Sequence, residues 1–357
     1  MKLYDLPTPA LVADADILEA NQACMNALLE GSSLRLRPHY KSHKCAALAR
    51  RQLDAGAIGM TCAKLSEAED LIFSGVEDVL IANQIVEPNK LRRLAELALF
   101  CRLTVCVDDA DNARALSAAA EGAGTVIHCL VEYDIGMRRC GVRSAEAYLD
   151  LAQLVASLPH LHYEGIQAYA GYASHLVSEQ EREAITAANE AKVAQLARLL
   201  RASGLDVRTI SGGSTGTAAI KARHGLYTEL QAGSYLFMDS TYEQLSLPFR
   251  NSLFVLSAVV SRKEDALIFD VGVKGLGTDQ DDPVILDRNG ERISGRCELN
   301  EEHLKLYEPS AMLPLGEKVL IMPGHCCSTV NLYEQLYLFR DGRITERLPI
   351  SARGKSQ

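Results

Sequence analysis

The sequence predicts an α/β protein in which a (β/α)8 barrel of the TIM type is joined to a C-terminal β domain. About eight short apolar runs, each followed by a helical stretch, succeed one another over roughly 210 residues, which is the size and rhythm of such a barrel. Beyond about residue 245 the apolar runs are separated by polar, turn-rich stretches, with no helix of any length between them. A doubly wound open sheet is the structural alternative.

The individual elements are predicted from local patterns. Pro88 suits the first turn of a helix, and the run Ser66-Glu67-Ala68-Glu69 resembles a capping box. Because the opening run 7–14 is apolar, we expect it to pair into the β domain, so the barrel spans 20–243 and the β domain comprises 1–19 and 244–357. Barrel strands are predicted at 34–37, 57–62, 78–82, 102–107, 125–133, 163–169, 206–210 and 228–232, and the longest helix at 178–203.

Composition limits the class of protein. The 357 residues are 48% hydrophobic and 23% charged and carry a formal charge of -9, which argues against a nucleic-acid binder. Neither a signal peptide nor an apolar run of membrane-spanning length is visible. Ten cysteines without CxxC spacing indicate reduced thiols in the cytoplasm rather than a disulfide framework.

A basic loop follows the first barrel strand. Pro38 ends the alternating run 34–37, and two histidines and two lysines, His39, Lys41, His43 and Lys44, come directly after it. In parallel α/β folds, catalytic groups collect at this end of the strands. A solvated basic loop is the alternative, and His43 is interpreted either as a proton shuttle or as a structural histidine.

Two glycine-led loops follow the seventh and eighth strands. In SGGSTGT (211–217) three glycines allow the backbone N–H groups to form an anion nest, to which the hydroxyl groups add donors. Barrels commonly bind phosphate at the loops after these two strands. An ordinary tight loop is the alternative. The candidate phosphate-binding residues are Ser214, Thr215, Gly216, Gly233, Ser234 and Tyr235.

A lysine at the mouth of the first strand and two anion-binding loops at the last strands indicate a phosphate-bearing aldehyde cofactor, pyridoxal 5′-phosphate. The amine of Lys41 or Lys44 would form a Schiff base with the aldehyde, the loops would hold the phosphate, and the ring would act as the electron sink. Arg138 or Arg139, after the fifth strand, is a candidate contact to the ring oxygen or to a substrate carboxylate. Tyr169, at the end of the sixth strand, is a candidate contact to the ring. A solvated arginine and a core-capping tyrosine are the alternatives.

A pair of metal-ligand side chains lies in the β domain. If His325-Cys326-Cys327 is extended, His325 and Cys327 face the same way and Cys326 faces the opposite way. Imidazole and thiolate suit zinc, and two protein ligands leave positions for water and substrate. A buried histidine with an inert thiol is the alternative.

These motifs resemble the D-threonine aldolase and D-serine dehydratase family, within the alanine-racemase-like, fold type III pyridoxal-phosphate enzymes. The similarity runs from PTPALV through RPHYKSHKC, SGGSTGT, ELQAGSYLFMD and NSLFVLSAVVS to ISARG. It implies that Lys41 carries the cofactor, that Arg139 and Tyr169 contact it, and that His325 and Cys327 bind a divalent metal. Where aldolases of the family often carry AYHG, this chain has Ala170 after Tyr169.

The resemblance implies a lyase that acts on D-3-hydroxy amino acids and assembles as a homodimer. The thiolate ligand favours a dehydratase that converts D-serine or D-threo-3-hydroxyaspartate to an oxo-acid and ammonia, with zinc as the metal and Mn or Mg as the alternatives. Aldol cleavage of D-threonine or D-3-hydroxyaspartate to glycine and an aldehyde is the alternative reaction. Two more distant alternatives are a racemase and a non-enzymatic pyridoxal-phosphate-binding protein.

Overall fold

Two separate β-sheets and ten α-helices make up the chain, in a computed structural model that describes residues 1–357. The strands are β1 (Ala10–Asp14), β2 (Arg35–Leu36), β3 (Met60–Cys62), β4 (Asp78–Ile81), β5 (Arg102–Val107), β6 (Ile127–Glu132), β7 (Leu161–Ala168), β8 (Thr209–Gly212), β9 (Glu229–Leu230), β10 (Leu253–Arg262), β11 (Ala266–Phe269), β12 (Val284–Leu286), β13 (Arg296–Leu299), β14 (Leu304–Tyr307), β15 (Lys318–Met322), β16 (Gln335–Arg340) and β17 (Arg343–Pro349). The helices are α1 (Ala15–Leu29), α2 (Ala46–Asp54), α3 (Leu65–Phe73), α4 (Pro88–Leu97), α5 (Ala110–Ala123), α6 (Ala145–Ser157), α7 (Glu179–Ala202), α8 (Ala218–His224), α9 (Ser240–Glu243) and α10 (Cys326–Val330).

The first sheet is a barrel of eight parallel strands. Its order is β2-β9-β8-β7-β6-β5-β4-β3, and every pairing is parallel. The ends of this order meet, because the Thr61 N–H donates to the Pro38 carbonyl at 2.8 Å and His39 forms a parallel bridge with Thr61. A helix follows most of the strands, so the predicted (β/α)8 barrel is confirmed over the open-sheet alternative.

Caps explain where several barrel helices begin. Asp109 accepts hydrogen bonds from two N–H groups at the start of α5, and Ser144 does the same for one N–H group of α6. Pro88 occupies the first turn of α4, as predicted. The capping box predicted at Ser66–Glu69 is wrong by two residues, because the backbone N–H of Lys64 donates to Glu67 instead.

The second sheet has nine strands and includes the start of the chain. β1 pairs antiparallel with β10 and parallel with β16, which confirms the predicted pairing of the opening run into this domain. Apolar side chains of this second sheet pack into a cluster that includes Leu6, Val12, Leu256 and Met322. The short strands β12, β13 and β14, as well as β17, were not predicted, and α10 corrects the expectation that this region contains no helix.

The Cα positions group into two compact units. One comprises Met1–Met25, Ser42–Ala47 and Ser234–Gly354, and the other comprises Asn26–Lys41, Leu48–Gly233 and Lys355–Gln357. The division at 19/20 and 243/244 remains a prediction of the sequence. None of the helices combines the length and apolarity that crossing a bilayer requires.

Candidate functional site

Lys41 and Lys44 lie in different environments. Lys41 is part of a short 3-10 helix, Tyr40–Ser42, directly after the first barrel strand, and its side chain is exposed. Lys44 is buried, with a left-handed backbone at φ 48°, and its carbonyl accepts the Ala352 N–H at 2.9 Å. Only Lys41 therefore presents an accessible amine.

Lys41 opens into a cavity of about 200 Å³ at the C-terminal end of the barrel strands. The lining combines a lysine amine with a guanidinium, a phenol, an imidazole and amides, which are the groups that a phosphorylated aromatic aldehyde requires. The residues lining it include Lys41, Arg139 and Tyr169 from the sequence prediction, together with His39, Asn83, Gln167 and Gln231.

Arg139 and Tyr169 are brought together in this cavity. The Arg139 guanidinium carbon lies 5.5 Å from the centroid of the Tyr169 ring, within cation–π range. The loop that carries Arg139 is held by Asp134, whose carboxylate accepts the N–H groups of Gly136 and Arg138. Burial raises the pKa of Asp134, but these hydrogen bonds outweigh burial and lower the pKa below its ordinary value. The carboxylate is therefore charged, and it fixes the loop.

Two glutamines at the strand ends form a buried hydrogen-bonded pair beside the cavity. The Gln231 amide donates to the Gln167 carbonyl oxygen at 2.7 Å and to the Ser211 hydroxyl at 2.8 Å. Sequence reasoning missed both, although Gln231 stands in the quoted motif ELQAGSYLFMD and Gln167 lies two residues before Tyr169. Their neutral amides suit an orienting role because they add no charge to the barrel interior.

The glycine-rich loop is tightly packed and begins a helix. Gly213 has φ +80°, and a short 3-10 helix, Thr215–Thr217, continues into α8. Ser214 receives a hydrogen bond from Ser174 at 2.6 Å, and a Cβ on Gly216 would collide with the Ser174 carbonyl. Glycine is therefore required at 216 by close backbone approach, the packing that a phosphate cradle uses.

The second glycine-led segment continues from Gly233 into a 3-10 helix, Ser234–Leu236. Tyr235 is fully buried, and its hydroxyl donates to Gln22 at 2.7 Å. The Tyr235 hydroxyl is therefore already engaged, which leaves the backbone of this residue as its polar contribution to a ligand. The Ser234 hydroxyl lies 3.8 Å from the Cys327 thiol.

His325 and Cys327 meet, but not in the way predicted. His325 is the N-cap of α10, and Cys326 and Cys327 begin that helix rather than extending a strand. Cys326 is buried, with its sulfur 3.9 Å from that of Cys327, so the expectation that it faces the opposite way is wrong. A helix of five residues is too short to leave a periodic signal in the sequence.

The imidazole of His325 is oriented by a carboxylate. Its Nδ1 lies 2.7 Å from Asp279 Oδ2, and Asp279 also accepts a hydrogen bond from the Ser328 hydroxyl at 2.6 Å. Burial lowers the pKa of His325, but hydrogen bonds to Cys327 and Asp279 outweigh burial and raise the pKa to about 9. With Nδ1 engaged, Nε2 is the nitrogen left for a metal, and the thiol of Cys327 is beside it.

A buried carboxylate holds the start of α10. Asp239 accepts the N–H of Cys326 at 3.0 Å and the N–H of Tyr242 at 2.9 Å. Burial raises the pKa of Asp239 to about 6, against these two hydrogen bonds. Asp279 and Asp239 were both missed by sequence reasoning, because single acidic residues in loops give no pattern.

His43 is enclosed. It is 1% exposed, and its Nδ1 accepts the N–H of Cys45 at 3.2 Å. When the ring is neutral its proton is therefore on Nε2.

Comparison with known proteins identifies the family. Residues 13–241, more than half of the chain, match the alanine racemase N-terminal domain family, and residues 252–339 match a serine dehydratase domain. The chain is 41% identical to the D-threonine aldolase of an Arthrobacter species over 362 residues, covering 99% of this chain and 95% of that relative. It belongs to the D-threonine aldolase and D-serine dehydratase family.

Solved structures of family members have the same fold. The D-threonine aldolase of Filomicrobium marinum superposes with a TM-score of 0.95 at 39% identity, covering 100% of this chain and 98% of that one. The D-threo-3-hydroxyaspartate dehydratase of Delftia superposes with a TM-score of 0.90 at 27% identity, covering 98% of each chain. The chain is thus a lyase and a fold type III pyridoxal-phosphate enzyme. Members of this family use a metal ion as well as the cofactor.

Proposed function

We propose that the protein is a pyridoxal-phosphate- and metal-dependent lyase of D-3-hydroxy amino acids that favours β-elimination, releasing an oxo-acid and ammonia. The observation that carries the proposal is the pairing of a thiol, Cys327, with the oriented imidazole of His325. D-Serine and D-threo-3-hydroxyaspartate are the substrates that we expect.

The cofactor would be held by residues from several loops. Lys41 is the candidate for the covalent link, because its amine is accessible in the cavity whereas Lys44 is buried. Arg139 and Tyr169 line the same cavity and are candidates for contact with the ring. The candidates for holding the phosphate are Ser214, Thr215, Gly216, Gly233, Ser234 and Tyr235.

When bound, the cofactor supplies an electron sink for the electron pair of a bond broken at the substrate Cα. Lys41 Nζ would be the base that takes the α-proton of the substrate. His43 Nε2 is a candidate for carrying a proton from Lys41, since Nδ1 is already engaged with the Cys45 N–H. Arg139 would orient the substrate or the cofactor ring through its guanidinium.

His325 Nε2 and Cys327 Sγ would hold the divalent ion, and the ion would supply Lewis acidity towards the β-oxygen of the substrate. The Cys327 sulfur lies 3.4 Å from the hydroxyl of Ser42, the residue that directly follows Lys41 in the chain. A thiolate selects a soft ion, so zinc is preferred to Mn or Mg.

The nature of the metal pair favours the dehydratase reaction. Solved structures of a D-threo-3-hydroxyaspartate dehydratase include a cysteine-to-alanine mutant in the metal-free form and a mutant of the histidine two positions earlier. That spacing is the spacing of His325 and Cys327 here.

Aldol cleavage to glycine and an aldehyde is the second candidate. It is favoured by the overall similarity, since the 41% identical relative and the structure with a TM-score of 0.95 are both D-threonine aldolases. Both reactions begin from the same bound substrate, so the metal ligand and the products decide between them.

Product analysis tests the proposal. The enzyme loaded with cofactor and zinc is incubated separately with D-serine, D-threo-3-hydroxyaspartate and D-threonine, and oxo-acid, ammonia, glycine and aldehyde are measured. We expect oxo-acid and ammonia to form faster than glycine. A matched variant, Cys327→Asp, exchanges the thiolate for a carboxylate and should shift the product ratio towards glycine. Dominant glycine release by the wild type would refute the elimination, and interconversion of enantiomers without these products would indicate a racemase.

We also propose a homodimer and a cytoplasmic location. The resemblance to the family supports the homodimer, and the reduced thiols support the cytoplasmic location. Sedimentation equilibrium of the loaded enzyme, with an expected mass of two 38.9 kDa chains, tests the first. Fractionation of the source cells tests the second.

A further inference from the structure

A cluster of three metal-ligand side chains lies at the N-terminal ends of two barrel strands. His128 is the second residue of β6, and His162 and Glu164 are the second and fourth residues of β7. The parallel register pairs His128 directly with His162. Since Lys41 follows the C-terminal end of a strand, this cluster and the cavity around Lys41 lie at opposite ends of the barrel.

The three ligand atoms converge. His128 Nδ1 lies 2.6 Å from Glu164 Oε1, His162 Nε2 lies 3.5 Å from the same oxygen, and all three ligand atoms are within 4.8 Å of one another. The strand register shifts at this point, so that Glu164 is an extra residue of β7 with no partner on β6. A bulge re-aims side chains, and here it accompanies the convergence of Glu164 on both imidazoles.

The carboxylate of Glu164 lies within ion-pair distance of a guanidinium as well as of the two histidines. Arg102 bonds to the same oxygen, Oε1, at 2.6 Å, and also reaches Asp78 at 3.4 Å. Arg102 can therefore release Glu164 to a metal ion while it keeps a carboxylate partner.

The charges around the cluster favour a cation. The connected ion pairs at this end of the barrel contain two guanidinium groups, Arg37 and Arg102, and three carboxylates, Asp78, Glu164 and Glu229. With neutral imidazoles the set carries a net charge of -1, because the carboxylates outnumber the guanidinium groups by one. A divalent ion would neutralise this excess and replace the Arg102 contact to Glu164.

We propose that His128, His162 and Glu164 bind a divalent transition-metal ion of the zinc, cobalt and nickel group, at a site separate from His325 and Cys327. Two imidazole nitrogens and one carboxylate oxygen are a ligand set typical of zinc, with water completing the coordination. The side chains of His128 and His162 are 25% and 45% exposed, so an ion can reach the site from solvent.

The site takes an ion rather than an organic substrate. The neighbouring cavity, lined by residues such as Arg37, Thr104 and Leu130, measures about 10 Å³, far below the roughly 300–1,000 Å³ of organic ligand sites. A bound ion would join β6 to β7, the strands that end just before the loops of Arg139 and Tyr169. We therefore expect the ion to raise the thermal stability of the barrel.

Metal stoichiometry tests this inference, which does not depend on the proposed function. The cofactor-loaded enzyme is stripped with a chelator and titrated with Co²⁺, and bound metal is counted by equilibrium dialysis in the wild type, His162→Ala, Cys327→Ala and the double variant. His160→Ala, which removes a histidine on the same side of the barrel but outside the cluster, is the matched control. Because His162 is exposed, its replacement should not prevent folding, and His162→Gln provides a second variant.

We expect His162→Ala and His162→Gln to lose one equivalent per chain relative to the wild type, and His160→Ala to lose none. In the Cys327→Ala background, Co²⁺ should still bind and raise the midpoint of thermal unfolding, and adding His162→Ala should abolish both effects. Equal stoichiometry in the wild type and His162→Ala would overturn the inference, whatever happens at Cys327. Loss of metal in Cys327→Ala alone, with none remaining, would overturn it as well.

Discussion

Replacing Gly216 by alanine should damage the glycine-rich loop by steric overlap alone. A Cβ at this position would lie within 3.0 Å of the Ser174 carbonyl, a separation that packed Cβ atoms essentially never reach. Ser174 cannot easily move away, because it is 1% exposed, lies in the 3-10 helix Gly171–His175 and donates a hydrogen bond to Ser214. Overpacking of this kind costs about 1–3 kcal/mol.

The cost should appear in two measurements. The midpoint of thermal unfolding of Gly216→Ala should fall, and the affinity for pyridoxal 5′-phosphate should drop by about ten- to a hundredfold if the strain is expressed in the loop that holds the phosphate. Absorbance titration of the cofactor and calorimetry measure the two effects separately.

A second glycine supplies the control. Gly122 lies near the end of α5, and nothing is within 4 Å of a Cβ built there. Gly122→Ala should therefore stabilise the protein by roughly 0.5–1 kcal/mol through helix propensity and leave cofactor affinity unchanged. If Gly216→Ala binds cofactor and unfolds like the wild type, the packing argument is refuted.

Three further predictions address the metal pair, the cofactor lysine and a buried lysine. Asp279→Asn should weaken zinc binding about 10–100-fold, measured by chelator competition, while cofactor absorbance stays unchanged; equal affinity would exclude its role in orienting His325. Lys41→Ala should remove the visible absorbance of the bound cofactor and Lys44→Ala should retain it, the reverse result transferring the covalent link to Lys44. Burial, opposed by Glu190, lowers the pKa of Lys221 from 10.5 to about 8, so the unfolded chain binds this proton more tightly. The free energy of unfolding should therefore gain a contribution that rises between about pH 8 and 10.5. Denaturation curves measured across this range should show the rise in the wild type and not in Lys221→Met. The same pH dependence in both proteins would refute the reasoning.

Much of the fold was predictable because buried parallel strands are short apolar runs that alternate with amphipathic helices. The pairing of β1 into the second sheet was predicted too, from the apolar character of its run. The strands β13 and β14 were not predicted, since each has only four residues and carries charged side chains among its apolar ones. The helix α10 was missed because one short turn has no period.

The candidate site was predictable where side chains are charged or aromatic and follow a strand. Lys41, Arg139 and Tyr169 satisfy that condition, and the structure brings them into one cavity. Gln167 and Gln231 do not, because a neutral amide at the end of a strand looks like any polar residue. Asp279 became visible only through its 2.7 Å contact to an imidazole 46 positions away in the chain.

The position of β1 in the middle of the second sheet has a consequence for biosynthesis. Ala13 pairs with Leu253 on one side and with Leu338 on the other. The strand β1 can therefore pair only after partners about 240 and 325 residues further along the chain have been translated. At about 5–20 residues per second, the ribosome leaves this apolar segment without its sheet for tens of seconds. The barrel can close before the second sheet has its central strands in place. Nascent chains stalled before residue 253 should therefore protect the barrel from protease while the first fourteen residues stay accessible, and such chains are the stage at which a chaperone would be needed.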